Sequence, residues 1–476
     1  MPSLIRSLAL LPVLLSGIAQ AVNTVSVKGQ DFIDDTTNKR LMIVGVDYQP
    51  GGQAGYKPTE KKDALTDGDV CLRDAVVMQK LGVNTIRVYN VDPSLDHSKC
   101  MSIFNAAGIY VILDVNSPLS GESINRAEPW TSYYKEYLER IFGVVENFKN
   151  FPNTLAFFSA NEVINDLDTA EFNPMYIRAV QRDLKNYIKN HVDRPIPVGY
   201  SAADVREILH DTWAYMECDH DDDNSSSDFF GLNSYSWCGD GNMKSSGYSD
   251  LVDMFKNSSI PVFYSEYGCN EVQPRIFTEV GALYGKEMTS LSGGLVYEYS
   301  QEEADYGLVV INDNGTVSLR EDFHNLQGQF NKLDLSLIQS ASNTNLQAPK
   351  CDKSLITAKQ FSSNFTIPAV CPGCADVIKN GLKNPTNGKL VDVTDTKPKQ
   401  AVYGANGVEI KNLELTKLKE ANTPSGSELS SGSASGTASG TAAQPSATKT
   451  GAASSMSVAG WSSLMVAGAL LTAMFA

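Results

Sequence analysis

Leu155-Ala156-Phe157-Phe158-Ser159-Ala160-Asn161-Glu162 is the stretch on which the reading of this chain turns. Five of its first six residues are apolar, and the run stops at Asn-Glu. A continuous apolar run suits a strand buried on both faces, as in a parallel sheet covered by helices. An acid at the carboxyl end of such a strand lies at the mouth where barrel enzymes keep their chemistry. A second stretch repeats the form: Pro261-Val262-Phe263-Tyr264-Ser265-Glu266-Tyr267-Gly268-Cys269. A solvated loop charge is the bland reading of either Glu alone. Two strands that each end in Glu point to the paired carboxylates of glycosidic-bond chemistry.

Working outward, strand-like runs at 41–48, 85–90, 110–116, 155–162, 195–201, 229–235, 261–269 and 294–300 alternate with helical periodicity at 71–81, 100–107, 133–149, 175–190, 251–255 and 275–290. Eight strands alternating with helices over roughly 300 residues predict a (β/α)8 TIM barrel. The alternative, a doubly wound open sheet, needs a Gly-rich phosphate turn after an early strand, and the sequence has none. On this count Glu162 ends the fourth barrel strand and Glu266 the seventh, across the mouth from each other. The expectation is that they lie roughly 5 Å apart around one sugar unit.

The ends read differently. Residues 1–21 carry Arg6, an apolar run and Ala19-Gln20-Ala21, the form of a secretory signal peptide. Residues 22–335 make the barrel, and 336–420 an extension packed on it and tied by a disulfide. A Ser/Gly/Ala/Thr-rich stalk follows over 421–455, too polar to bury a core. The apolar tail 456–476, running to the terminus without a flanking charge, reads as a GPI-attachment signal that is removed; a retained tail-anchoring helix is the alternative. Asn224, Asn257, Asn314 and Asn364 begin glycosylation sequons. Secretion makes disulfides available to the 8 Cys, with 105 pairings open. Cys371-Pro-Gly-Cys374 has the spacing of a redox motif but not its strand-helix setting. The net charge of −16 argues against a nucleic-acid partner.

Cleavage of a neutral sugar polymer requires a proton donor for the leaving oxygen and a carboxylate to trap the oxocarbenium-like centre. Glu162 is the candidate general acid/base and Glu266 the candidate nucleophile. Asn161 is placed to reach the sugar 2-hydroxyl. Arg87 is a candidate to hold a catalytic carboxylate ionised, or else a partner in a structural barrel ion pair. Strand ends also present Asp47, Tyr48, Tyr89, Asn90, Asp114, Asn116, Tyr200, Asp204, Tyr235, Tyr267, Tyr297 and Tyr299, aromatic rings for sugar faces and polar groups for hydroxyls. No Ser-His-Asp or HExxH grouping occurs, so neither a metal nor another cofactor is expected.

Five motifs in order at strand ends carry a resemblance: Asp47-Tyr48-Gln49-Pro50-Gly51-Gly52, Arg87-Val88-Tyr89-Asn90, Ser159-Ala160-Asn161-Glu162-Val163, Asn233-Ser234-Tyr235-Ser236-Trp237-Cys238-Gly239 and Ser265-Glu266-Tyr267-Gly268-Cys269. The chain over about 22–375 resembles the fungal GPI-anchored β-1,3-glucanosyltransferases, family 72 of the glycoside hydrolases. The resemblance implies cleavage of an internal β-1,3-glucan bond and transfer of the new reducing end to the non-reducing end of another chain, elongating wall glucan. It makes Glu162 the acid/base and Glu266 the nucleophile. It makes Tyr89, Asn161, Asp204, Tyr235 and Tyr297 substrate contacts, with Arg206 a match whose spacing departs from some members; Gln49 and Asp114 are further candidates for substrate binding. It implies bridges Cys71–Cys100, Cys218–Cys351 and Cys238–Cys269, leaving Cys371 with Cys374. The cysteine-rich glucan-binding module of some members is not seen in this sequence. The resemblance also implies a cell-surface protein held to the membrane through a GPI lipid or moved to the wall; a monomer is expected. A retaining endo-β-1,3-glucanase is the runner-up, and a non-catalytic wall glucan-binding protein the reading from another class.

Overall fold

A computed structural model describes residues 22–427 and 429, apart from 222, 343 and 344. The signal peptide, nearly all of the stalk and the apolar tail lie outside the described residues. A short hairpin opens the described chain, β1 (Val25–Lys28) and β2 (Asp31–Asp34). Eight parallel strands then close a barrel: β3 (Ile43–Asp47), β4 (Thr85–Val88), β5 (Tyr110–Asp114), β6 (Thr154–Asn161), β7 (Val198–Ala203), β8 (Phe230–Asn233), β9 (Val262–Tyr267) and β10 (Gly293–Val296). They pair in sequence order, and β10 hydrogen-bonds both β9 and β3. This is the expected (β/α)8 architecture.

The apolar runs become buried strands because each is covered on both sides. Ile43, Ile112, Phe158, Phe263 and Leu295 fill the barrel interior. The outward residues meet the helices α1 (Gly68–Leu81), α2 (Ser98–Ala106), α3 (Lys135–Phe148), α4 (Thr169–His191), α5 (Leu209–Glu217), α6 (Tyr248–Phe255), α7 (Glu279–Leu283) and α8 (Glu321–Phe330). α3 buries Tyr137, Leu138, Ile141, Phe142, Val144, Val145 and Phe148, a helical stripe. α1 is capped at its start by Asp67, whose carboxylate accepts from the Asp69 and Val70 N–H groups. It ends on Gly82 at φ 98°, a left-handed position that glycine adopts without strain.

Two features depart from the reading of the sequence. The hairpin is one: Phe32 of β2 is fully buried, with its ring 6.0 Å from Phe229 and 5.9 Å from Phe263, and so joins the barrel interior. The second is the helix expected over 275–290. It is broken into α7 and a single 3-10 turn, Lys286–Met288. Gly281 and Gly285 weaken helix propensity there by roughly 1 kcal/mol each. Arg275 is spent instead on an ion pair with Asp322 at 2.7 Å.

Beyond the barrel, β11 (Val309–Ile311), β12 (Val317–Leu319) and β13 (Val402–Tyr403) form a small sheet, so the extension supplies a strand to it. Two short helices, α9 (Leu335–Ile338) and α10 (Cys374–Asn380), belong to the same outer layer. The N–H groups of the extension bond α1 and α2: Thr416 N–H donates to the Gln79 side-chain Oε1 at 2.9 Å and Leu418 N–H to Ala106 O at 2.8 Å. Packing continues past residue 420, since Asn422 is buried and donates to the carbonyls of Gln79 and Val83. The bridges are Cys71–Cys100, Cys218–Cys351, Cys238–Cys269 and Cys371–Cys374. Cys218–Cys351 joins α5's end to the extension across 133 residues.

Candidate active site

Glu162 follows directly on β6, and Glu266 sits near the end of β9. Both are therefore at the carboxyl mouth of the barrel. Glu162 has φ 48°, a left-handed conformation in a non-glycine residue. Such a position costs about 1–3 kcal/mol and persists where the surroundings enforce it. Here its N–H is tied to Ser201 O at 2.9 Å, on the neighbouring strand β7.

Asn233 connects the two acids. Its amide nitrogen donates to Glu162 Oε1 at 2.9 Å and to Asn161 Oδ1 at 3.1 Å, and its Cα lies opposite Glu266 in the β8–β9 register. Its own oxygen accepts from Ser201 Oγ at 3.0 Å and Ser265 Oγ at 2.7 Å, so the amide orientation is determined. Asn233 was quoted in a motif but given no role; its signal was its place at a strand end.

Glu266 is 8 % exposed and receives three donors from three different places. Tyr235 OH donates to Oε2 at 2.6 Å; Tyr89 OH donates to Oε1 at 2.9 Å; Arg87 Nη1 donates to Oε1 at 3.3 Å. Burial raises the Glu266 carboxyl to about 7; Arg87 pulls it down, Glu162 pushes it up, and the two tyrosine hydroxyls pull it down again. Arg87 is fully buried, stacked between the rings of Tyr89 and Phe158 at 4.3 and 4.4 Å. Both roles weighed for Arg87 are realised at once, because it also pairs with Asp114 through bonds of 2.8 and 3.0 Å.

Both oxygens of Asp114 accept from Arg87, which Asp114 orients. Asn161 Oδ1 accepts from Arg87 Nη2 at 2.9 Å, leaving its amide nitrogen as the end that can donate to a hydroxyl. Gln49 is buried, with Oε1 accepting from Asn90 N–H at 3.1 Å and Nε2 without a partner among the described residues. Tyr297 stands edge-on to Tyr89 and Tyr235, with ring centroids at 6.5 and 6.2 Å. Tyr306, absent from the sequence reading, completes this wall 5.3 Å from Tyr297 and 5.4 Å from Tyr235. Asp204 and Arg206 form an ion pair at the rim, where Ser234 Oγ also donates to Asp204 at 2.6 Å.

Other strand-end residues serve the scaffold. Tyr48 and Tyr299 both donate to Asp74 of α1 at 2.8 Å, Tyr200 OH accepts from Ile164 N–H, and Asn116 donates to Ser159 O. Asp47 and Glu298 are buried acids beneath the wall. Burial first, then Glu266, holds the Asp47 carboxyl well above the ordinary value, and burial with Glu302 raises Glu298 to about 8. Glu298 thus holds its proton at neutral pH, and Asp47 is shifted in the same direction. The sequence places Asp47 at a strand end but does not show this environment, because only the closed barrel brings the ends of β3, β9 and β10 together.

Comparison with known proteins matches this geometry. The profile of glycoside hydrolase family 72, described as glucanosyltransferase, matches residues 15–334. The chain is 57% identical over 415 residues to 1,3-beta-glucanosyltransferase gel2 of Aspergillus fumigatus, covering 86% of each. It is 44% identical over 409 residues to the probable 1,3-beta-glucanosyltransferase GAS3 of Saccharomyces cerevisiae, covering 82% of this chain and 77% of that one. A crystal structure of Saccharomyces cerevisiae Gas2p, a glutamate-to-glutamine mutant in complex with laminaritetraose and laminaripentaose, aligns with a TM-score of 0.66 at 38% identity, covering 74% of this chain and 75% of that one. A closed eight-stranded barrel, a pair of acids at the ends of its fourth and seventh strands and these matches lead to one assignment: the chain belongs to glycoside hydrolase family 72, the glucanosyltransferases.

Proposed function

We propose that the chain is a retaining β-1,3-glucanosyltransferase in which Glu266 attacks the anomeric carbon of a β-1,3-glucan donor and Glu162 protonates the departing glycosidic oxygen. Two carboxyls at one site do not ionise independently: burial first, and the neighbouring Glu162 as well, raise the Glu266 carboxyl to about 7, against the pull of Arg87. Arg87, Tyr89 and Tyr235 all donate to Glu266 and so favour its carboxylate form, the form a nucleophile needs. The first step forms the bond from Glu266 to the anomeric carbon, breaks the glycosidic bond and passes the Glu162 proton to the leaving chain. In the second, Glu162 takes the proton of an incoming sugar hydroxyl, whose oxygen displaces Glu266. The observation that carries the reading is the three-donor cradle around Glu266, with Glu162 linked to it through Asn233.

The substrate class is supported by the laminari-oligosaccharides held by Gas2p. The tyrosine wall and the amide groups of Asn161 and Gln49 suit a neutral, hydroxyl-rich chain. Asp204 and Arg206 are proposed as rim contacts. Cell-surface location, GPI attachment, modification at Asn224, Asn257, Asn314 and Asn364, and a monomeric state complete the proposal. Asn257, Asn314 and Asn364 are exposed, as glycan attachment requires. No described helix is long and apolar enough to cross a membrane.

The test is incubation with a reduced β-1,3-gluco-oligosaccharide. Products longer than the starting sugar are expected. Shorter products alone would make the chain a retaining hydrolase, and no products at all a glucan-binding protein.

A further inference from the structure

Trp130 and Phe172 are the two exposed large aromatic side chains among the described residues, at 51% and 42% exposure. They touch each other edge to face at 5.8 Å. Exposed apolar rings in contact mark a surface that meets something. Trp130 lies in the connection between β5 and α3, on a 3-10 turn, Pro129–Thr131. Phe172 lies in the first turn of α4, which follows β6. Both segments leave carboxyl ends of barrel strands, so the pair is on the face that carries the acids. Phe172 is ten residues beyond Glu162, within about 35 Å even along a fully extended chain.

The rings are held rather than draped. Asn173 donates to Arg126 O at 2.8 Å and so ties α4 to the connection carrying Trp130. Ser132 Oγ accepts from Asn125 N–H at 2.8 Å, and Thr131 Oγ donates to Glu128 O at 2.7 Å. Tyr133 and Tyr176 form a second edge-to-face pair behind them, at 6.0 Å. Rings fixed in place lose little freedom on binding.

We infer that Trp130 and Phe172 form a distal platform that stacks a β-1,3-glucan chain on the Glu162 side of the cleft, holding the acceptor before transfer. This rests on the transferase reading above. A glucan fits because its sugar rings present apolar C–H faces and no charge, and because the platform shares a face with the catalytic pair. Glu162 activates the incoming hydroxyl, so a grip on its flank favours a sugar over water in the second step.

The experiment compares Glu162→Gln with the same variant carrying W130A and F172A, by calorimetric titration with laminari-oligosaccharides of increasing length. The expected result is a weakening of about three- to tenfold for long chains that shrinks as the chain shortens, with Trp130→Tyr retaining most of the affinity. In the active background, W130A with F172A raises the ratio of hydrolysis to transfer. Equal affinity at every length, or an equal loss at every length, overturns the platform. Failure of the parent enzyme to make longer products would instead refute the transferase reading, and the titration would still decide whether the platform binds glucan. Melting curves of the variants should overlay the parent's, since both side chains are exposed.

Discussion

Glu266 has more donors aimed at it than one carboxylate needs for folding, and each can be removed separately. Tyr235→Phe deletes the 2.6 Å bond to Oε2 without changing the ring. That hydroxyl stabilises the charged form of Glu266, so its loss raises the proton affinity of Glu266 and leaves less of the carboxylate that attacks. We expect kcat to fall by about 100-fold. The acid limb of kcat/KM, which in the parent lies near the Glu266 value of about 7, should move to higher pH, because the nucleophile must lose its proton to react. A pH–rate series checks both. At this scale the two glutamates were legible because each interrupts an apolar run. A sequence shows that Asp114 stands at a strand end, not that an arginine one strand away bonds both its oxygens. The partners of Asn233, Asp47 and Glu298 were out of reach for the same reason: they stand on other strands.

At the scale of elements, the strands were readable to within a few residues because two-sided burial demands continuous apolar runs. The β1–β2 hairpin was not, since two four-residue strands leave little periodicity to detect. Its contribution is tertiary, through one ring in the barrel interior. Phe32→Ala should destabilise the protein by about 3–5 kcal/mol, measured by denaturant unfolding, with kcat of the still-folded enzyme little altered because Phe32 packs below the mouth with Phe229 and Phe263. The broken helix after β9 has the opposite lesson. Apolar spacing over 275–290 suggested continuity, but Gly281 and Gly285 and the buried demand of Asp322 for Arg275 outweighed it.

For the whole molecule, the buried acids link the fold to pH. Glu266 and Glu279 are each raised to about 7 and Glu298 to about 8, chiefly by burial. Their unfolded values are near 4.5. Between these limits the folded protein holds protons that the unfolded chain has released, so stability falls as pH rises. Their penalty is absent below about pH 4.5 and complete above about pH 8. The expected Tm decreases by about 5 °C from pH 5.5 to pH 8, seen by calorimetry; a Tm that rises across this range would contradict the assignment of buried protonated acids. Architecture was legible at this scale from the count of alternating elements. The path of the extension over α1 and α2 was not, because it is held by bonds from its N–H groups rather than by an apolar pattern.

The central claim is that Glu266 becomes bonded to sugar. The most direct measurement is to treat the protein with a 2-deoxy-2-fluoro laminari-oligosaccharide carrying a good leaving group, digest it and locate the added mass. The account predicts the label on the peptide containing Glu266, and none in Glu266→Gln. A label on Glu162, or turnover with inverted anomeric configuration and no labelled peptide, would contradict it.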